Sequence, residues 1–129
     1  MAHLIVARYA DGRMVKGTTA DFEHGRRAFH VLPADPDADR VQVLVKELKA
    51  VFFVQRLQGD RYYDEDCSWD PATDGSKVEV TFRDGEVVRG FTVDVVEDQQ
   101  GFFMDPVDRS SNNERLYVVY RAVDKVDFV

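Results

Sequence analysis

The chain has 129 residues, 44% of them hydrophobic, and a formal net charge of −7. That content suits a packed core and excludes a disordered chain, while the negative balance opposes capture of polyphosphate, which needs clustered Lys and Arg. Cys67 is the only cysteine, so an intrachain disulfide and a four-thiolate zinc site are excluded.

Met1-Ala2-His3 leads straight into apolar alternation, without the basic start, long apolar run and small-residue site of a signal peptide. No stretch reaches the length of a membrane span, and a cytoplasmic protein of bacterial type is expected. Ile5, Ala7 and Tyr9 take the inward positions of a first strand. Asp11-Gly12 then closes a hairpin whose turn calls for positive φ at both central residues. Gly17 lies within the second strand and marks a sharp bend or a close backbone approach. Phe29 anchors a third strand, Val41, Val43 and Val45 a fourth, and Val51 and Phe53 a fifth.

Residues 56–76 form an acidic linker holding Tyr62, Tyr63, Cys67 and Trp69. The carboxylates of Asp64-Glu65-Asp66 would raise the Cys67 thiol and make it a poor nucleophile.

Beyond the linker the same pattern returns. Asp11-Gly12, Val15, Gly17, Thr19 and Asp21 recur 73 positions later as Asp84-Gly85, Val88, Gly90, Thr92 and Asp94. Phe29, Pro33 and Asp35 meet Phe102, Pro106 and Asp108; after a slip of two, Arg40, Val43, Val51 and Phe53 meet Arg115, Val118, Val126 and Phe128. The expectation is an all-β chain of two tandem five-stranded small barrels, residues 1–55 and 77–129, packed together as an internal pseudo-repeat. Neither half is large enough to be comfortable alone, because a core of that size supplies only about 3–5 kcal/mol. Both are expected to unfold together.

Five short strands with a bent second one resemble the small barrels of the Sm-like and SH3-like class. Asp-Gly, four residues, Gly, then Asp is similar to the first Sm motif, and Val119-Tyr120-Arg121-Ala122-Val123 to the second motif of bacterial Sm-like RNA chaperones. The resemblance implies the barrel fold. RNA binding does not follow, because Asp21 and Asp94 sit closer to the glycine than the motif requires, no Asn follows them, and Ala122 and Glu47 stand where the relatives carry a basic residue or histidine.

Candidate chemistry is sparse. His3, His24 and His30 lack Cys or carboxylates at metal-ligand spacing, and Asp21 and Asp94 are expected to satisfy backbone donors. Asp35, Asp37 and Asp39, and Asp108, Ser110, Asn112 and Glu114, form oxygen-rich loops, but neither carries the glycine or the closing Glu of an EF-hand, so calcium is not expected. No cofactor motif or nucleophile elbow is present.

The outward positions of strand five differ between halves: Ala50, Phe52 and Val54 in the first, Lys125, Asp127 and Val129 in the second. With Leu44 and Val119 outward on strand four, an apolar face needs cover from Tyr62, Tyr63 and Trp69 or from a protein partner. These observations favour a non-catalytic interaction or regulatory module mediating protein contacts or homo-oligomerisation. The alternatives are a small-ligand or nucleotide sensor, for which Arg8, Arg26 and Arg27 are the only modest basic cluster in this reading, and an Sm-like nucleic-acid binder.

Overall fold

A computed structural model describes residues 2–23, 25–35, 37–55, 76–92, 100–106 and 113–128. Among the described residues ten antiparallel strands form: β1 (His3–Tyr9), β2 (Met14–Thr19), β3 (Ala28–Pro33), β4 (Val41–Leu44), β5 (Leu48–Val54), β6 (Ser76–Phe82), β7 (Val87–Thr92), β8 (Gly101–Pro106), β9 (Asn113–Val119) and β10 (Val123–Phe128). Single 3-10 turns, Val45–Glu47 and Tyr120–Ala122, precede β5 and β10. Among the described residues there is no α-helix, and no helix is long and apolar enough to cross a membrane.

The strands form one open sheet in the order β10-β6-β7-β8-β9-β5-β1-β2-β3-β4. The sheet is not closed into the two barrels expected from the sequence. β5 pairs with β1 on one side and with β9 on the other, Val51 facing Tyr117 and Phe52 facing Leu116. A strand has two hydrogen-bonding edges, and both edges of β5 are used to join the halves into a continuous sheet. β10 and β4 are left as its ends.

Pairings in the first five strands have counterparts in the last five. Ile5 faces Gly17 as Val78 faces Gly90, Gly17 faces Pro33 as Gly90 faces Pro106, and Phe29 faces Val43 as Phe102 faces Val118. Phe53 faces Ile5 as Phe128 faces Val78.

Two cores lie along the sheet, and each borrows from the other half. The first gathers Ile5, Phe29, Val31 and Val51 with Tyr117 and Val119 of β9. The second gathers Val80, Phe82, Phe102 and Met104 with Ala50, Phe52 and Val54 of β5. Because successive side chains alternate between faces, β5 and β9 contribute to both cores. This explains the asymmetry visible in the sequence. Ala50 and Phe52 are apolar because the second core covers them, while their counterparts Lys125 and Asp127 lie exposed on an edge strand.

The Asp-Gly hairpins differ from the expected turn. Only the glycines take positive φ, 97° at Gly12 and 94° at Gly85, and no other residue type does so among those described. Gly12 N donates to Tyr9 O at 3.1 Å and Tyr9 N to Arg13 O at 2.9 Å; Gly85 N to Phe82 O and Phe82 N to Glu86 O repeat this at 2.9 and 2.8 Å. That pattern is a turn closed by a glycine bulge, which needs one left-handed residue and not two. The aspartates cap it: Asp11 Oδ1 accepts from Arg13 N and Asp84 Oδ1 from Glu86 N, each at 3.0 Å.

Gly17 and Gly90 mark close approaches. A Cβ at Gly17 would collide with the Leu32 carbonyl, and one at Gly90 with the Asp105 carbonyl.

Candidate functional site

The turns that lead into β5 and β10 face the junction of the two halves. Between them lies a cleft of about 730 Å³ lined by Gly25, Arg27, Leu44, Lys46, Gln100, Val119 and Arg121. Its walls are built alike. Val45 N donates to Arg27 O at 3.0 Å, and Tyr120 N to Gln100 O at 2.9 Å, so the two turns hang on equivalent carbonyls. Leu44 and Val119 occupy the same place before each turn, and Lys46 and Arg121 the same place within it. Gln100 Nε2 also donates to Arg26 O at 3.0 Å, tying one wall to the other.

The cleft is basic in a chain whose net charge is −7. Arg27, Lys46 and Arg121 are exposed, and none makes an ion pair among the described residues. By contrast, Arg8, Arg13, Lys49, Arg89, Arg115 and Lys125 each meet a carboxylate. Of this set the sequence marks only Arg27, beside Arg8 and Arg26; Lys46 and Arg121 stand far from it in the chain, and β5–β9 pairing brings the halves together. The matched places of Lys46 and Arg121 in the two halves were the available signal.

A second hollow, about 580 Å³, opens beside His3, Phe22, Phe53, Phe103, Asp105 and Arg115. Phe22 packs edge-on to Phe53, Phe103 and Tyr117, with ring centroids 5.6, 6.1 and 5.2 Å away. Arg115 donates from Nε to Asp105 Oδ1 at 3.2 Å and lies over Phe103 at 5.7 Å, so the charges here are already matched.

The junction is locked by a buried cation. Lys49, 3% exposed on β5, donates from Nζ to Asp84 Oδ2 at 2.7 Å, lies 3.0 Å from Glu86 Oε1 and sits 4.7 Å above the Phe82 ring. Arg8 reaches the same Glu86 at 3.4 Å. The Lys49 hydrogen bond, followed by the Glu86 amide, holds the Asp84 carboxyl below its usual range. Asp84 thus caps its own turn and pins it to the other half.

The expected interaction residues divide. Phe52 is 7% exposed with the Arg8 guanidinium 5.6 Å from its ring, and Val119 is fully buried, so neither offers an outer apolar face. Intramolecular cover comes from the opposite half, because β5 and β9 each turn a second face into the neighbouring core. Leu44 is half-buried on the cleft wall. Tyr62, Tyr63 and Trp69, with Cys67, His24 and Asp94, lie outside the described residues.

Asp21 does satisfy a backbone donor, accepting from His30 N at 2.9 Å, but it also meets His30 Nδ1 at 2.8 Å, a contact that chain spacing hides. Thr19 Oγ1 stands 2.8 Å from the His30 carbonyl and 3.2 Å from Asp21. Burial raises the Asp21 carboxyl, yet the His30 amide and ring and the Thr19 hydroxyl outweigh it and hold the group at about 2, below the ordinary 3.8. A depressed carboxyl stabilises the fold above its unfolded pKa and loses that contribution as pH falls through the folded one. Wild type is therefore expected to lose stability between about pH 4 and pH 2 more steeply than Asp21→Asn. At neutral pH the variant should be weaker by about 1 kcal/mol, since a charge-assisted acceptor is lost at a partly exposed site. Urea titrations of both proteins across that range check it; parallel acid limbs would refute the assignment.

Asp35 accepts from Asp37 N at 2.9 Å within its own loop, and among the described residues no three His, Cys, Asp or Glu side chains gather as metal ligands. No curated protein and no solved structure matches the chain. A family model does match, over residues 1–129: that of DUF6982, described as a family of unknown function. With the whole length covered, the chain belongs to the DUF6982 family.

Proposed function

We propose that this chain is a non-catalytic interaction module made of two tandem five-stranded units, related to small Sm-like and SH3-like barrels but opened and merged, which mediates protein contacts or self-association through its sheet edge. The recurrence of pairings at matched offsets supports the tandem reading. The interaction reading rests on Phe128. It is 71% exposed on edge strand β10, whereas its counterpart Phe53 packs against Phe103 of the other half at 6.1 Å. An edge strand presents unpaired backbone donors and acceptors, and main-chain pairing to an added strand supplies affinity. Lys125 and Asp127 on the same strand restrict which strands can be added, because like charges set opposite them repel.

Sedimentation velocity over a wide concentration range tests this reading. Association is expected for wild type, with slowed amide exchange at Val126–Phe128, and its loss in Phe128→Glu without a change in melting temperature. A wild type that stays monomeric, with β10 amides exchanging freely at every concentration, would rule out self-association through that edge.

A further inference from the structure

We infer that the cleft between the two turns is a binding site for a small phosphate monoester that carries an apolar body. This goes beyond the edge-strand reading and does not depend on it. The volume, about 730 Å³, suits a small organic ligand. Arg27, Lys46 and Arg121 bring three positive charges to one opening, against the sign of the chain as a whole, and no carboxylate among the described residues pairs with them. Like charges gathered at one opening repel, so an anion held among them offsets that cost.

The class of anion follows from the donors. Two guanidinium groups present planar forks that match phosphate oxygens, and Lys46 adds a compact point charge. A monoester with charge near −2 answers several cations better than a carboxylate of charge −1. Leu44, half-buried on the cleft wall, supplies an apolar surface beside the charged groups, which inorganic phosphate would leave uncovered. Long polyanions are opposed by the acidic remainder of the surface, so the site favours a compact ligand. Lys46 and Arg121 approach from equivalent turns of the two halves, and ligand would bridge them across the junction.

Isothermal titration of the full chain at low ionic strength tests the site with three probes: 1-naphthyl phosphate, 1-naphthol and inorganic phosphate. The ester is expected to bind at least about tenfold more tightly than either fragment, the factor that one charge-assisted contact supplies. Lys46→Gln combined with Arg121→Gln should weaken it by at least about tenfold, and by the same reasoning added salt should weaken it further. Amide shifts on binding should centre on Leu44, Lys46, Val119 and Arg121. Circular dichroism of the double variant should match wild type, since both side chains are exposed. Phe128→Glu should bind the ester unchanged, which separates this site from the β10 edge. Equal affinity for ester and inorganic phosphate, equal affinity for ester and naphthol, binding indifferent to the double variant, or no binding of the ester would each overturn the assignment. So would a short single-stranded RNA that displaces the ester and binds more tightly than it does.

Discussion

Gly17→Val and Gly90→Val are each expected to cost about 3 kcal/mol or more, enough to unfold a marginally stable protein. Both glycines lie where the backbone of the neighbouring strand comes close. Gly17 of β2 stands opposite Pro33 of β3, and a Cβ there would enter the Leu32 carbonyl; Gly90 of β7 stands opposite Pro106 of β8, and a Cβ would enter the Asp105 carbonyl. A flexible side chain could step aside, but a carbonyl held in a sheet cannot move without breaking its pairing. Gly12→Ala is the comparison. Its φ of 97° strains an alanine, yet nothing lies within 4 Å of the added atom, so the cost should stay near 1–2 kcal/mol. Urea denaturation followed by circular dichroism reads all three. If the valine variants are no less stable than Gly12→Ala, the close approaches do not constrain the sheet.

Phe52→Glu should be as damaging, at about 4 kcal/mol or more, because it places a carboxylate against an apolar core. Phe52 belongs to the first half by sequence but packs with Val80, Phe82, Phe102 and Met104 of the second. The loss should therefore appear in both halves at once, as one transition at lower denaturant. Asp127 is the natural control, since it carries a carboxylate at the matching place on β10 and is exposed there. Asp127→Asn should leave stability within about 0.5 kcal/mol. Residues 77–129 prepared alone should fail to fold, because that fragment lacks Ala50, Phe52 and Val54 from its core. A folded fragment, or a Phe52→Glu protein that melts like wild type, would show that the halves are independent.

Both predictions reach positions that the sequence already marked, with different clarity. Glycine inside a strand pattern announced a sharp bend or a close backbone approach, and the close approach is present, of β3 on β2 and of β8 on β7. Phe52 announced only that something must cover it. Alternation along a strand reports which side chains share a face, but not which element lies against that face. The pattern pointed first to the linker aromatics and then to an external partner, and nothing in it names the second core.

What the sequence determined by itself was local: strands from period-two alternation, turns from Asp-Gly, the matching places of Gly17 and Gly90, and an all-β chain of ten strands. Such features depend on φ, side-chain period and backbone contact, which a few neighbouring residues specify. The tertiary structure decided what two distant segments do together. Pairing of β5 with β9 turned two expected barrels into one open sheet, buried Phe52 and Val119, and left Phe128 exposed at the edge. It also brought Arg27, Lys46 and Arg121 around one cleft, and the β2–β3 connection brought Asp21 to His30. The physical reason is that burial and electrostatics depend on distance in space. A residue's own neighbours in sequence do not say which charge or apolar surface will arrive from the other half.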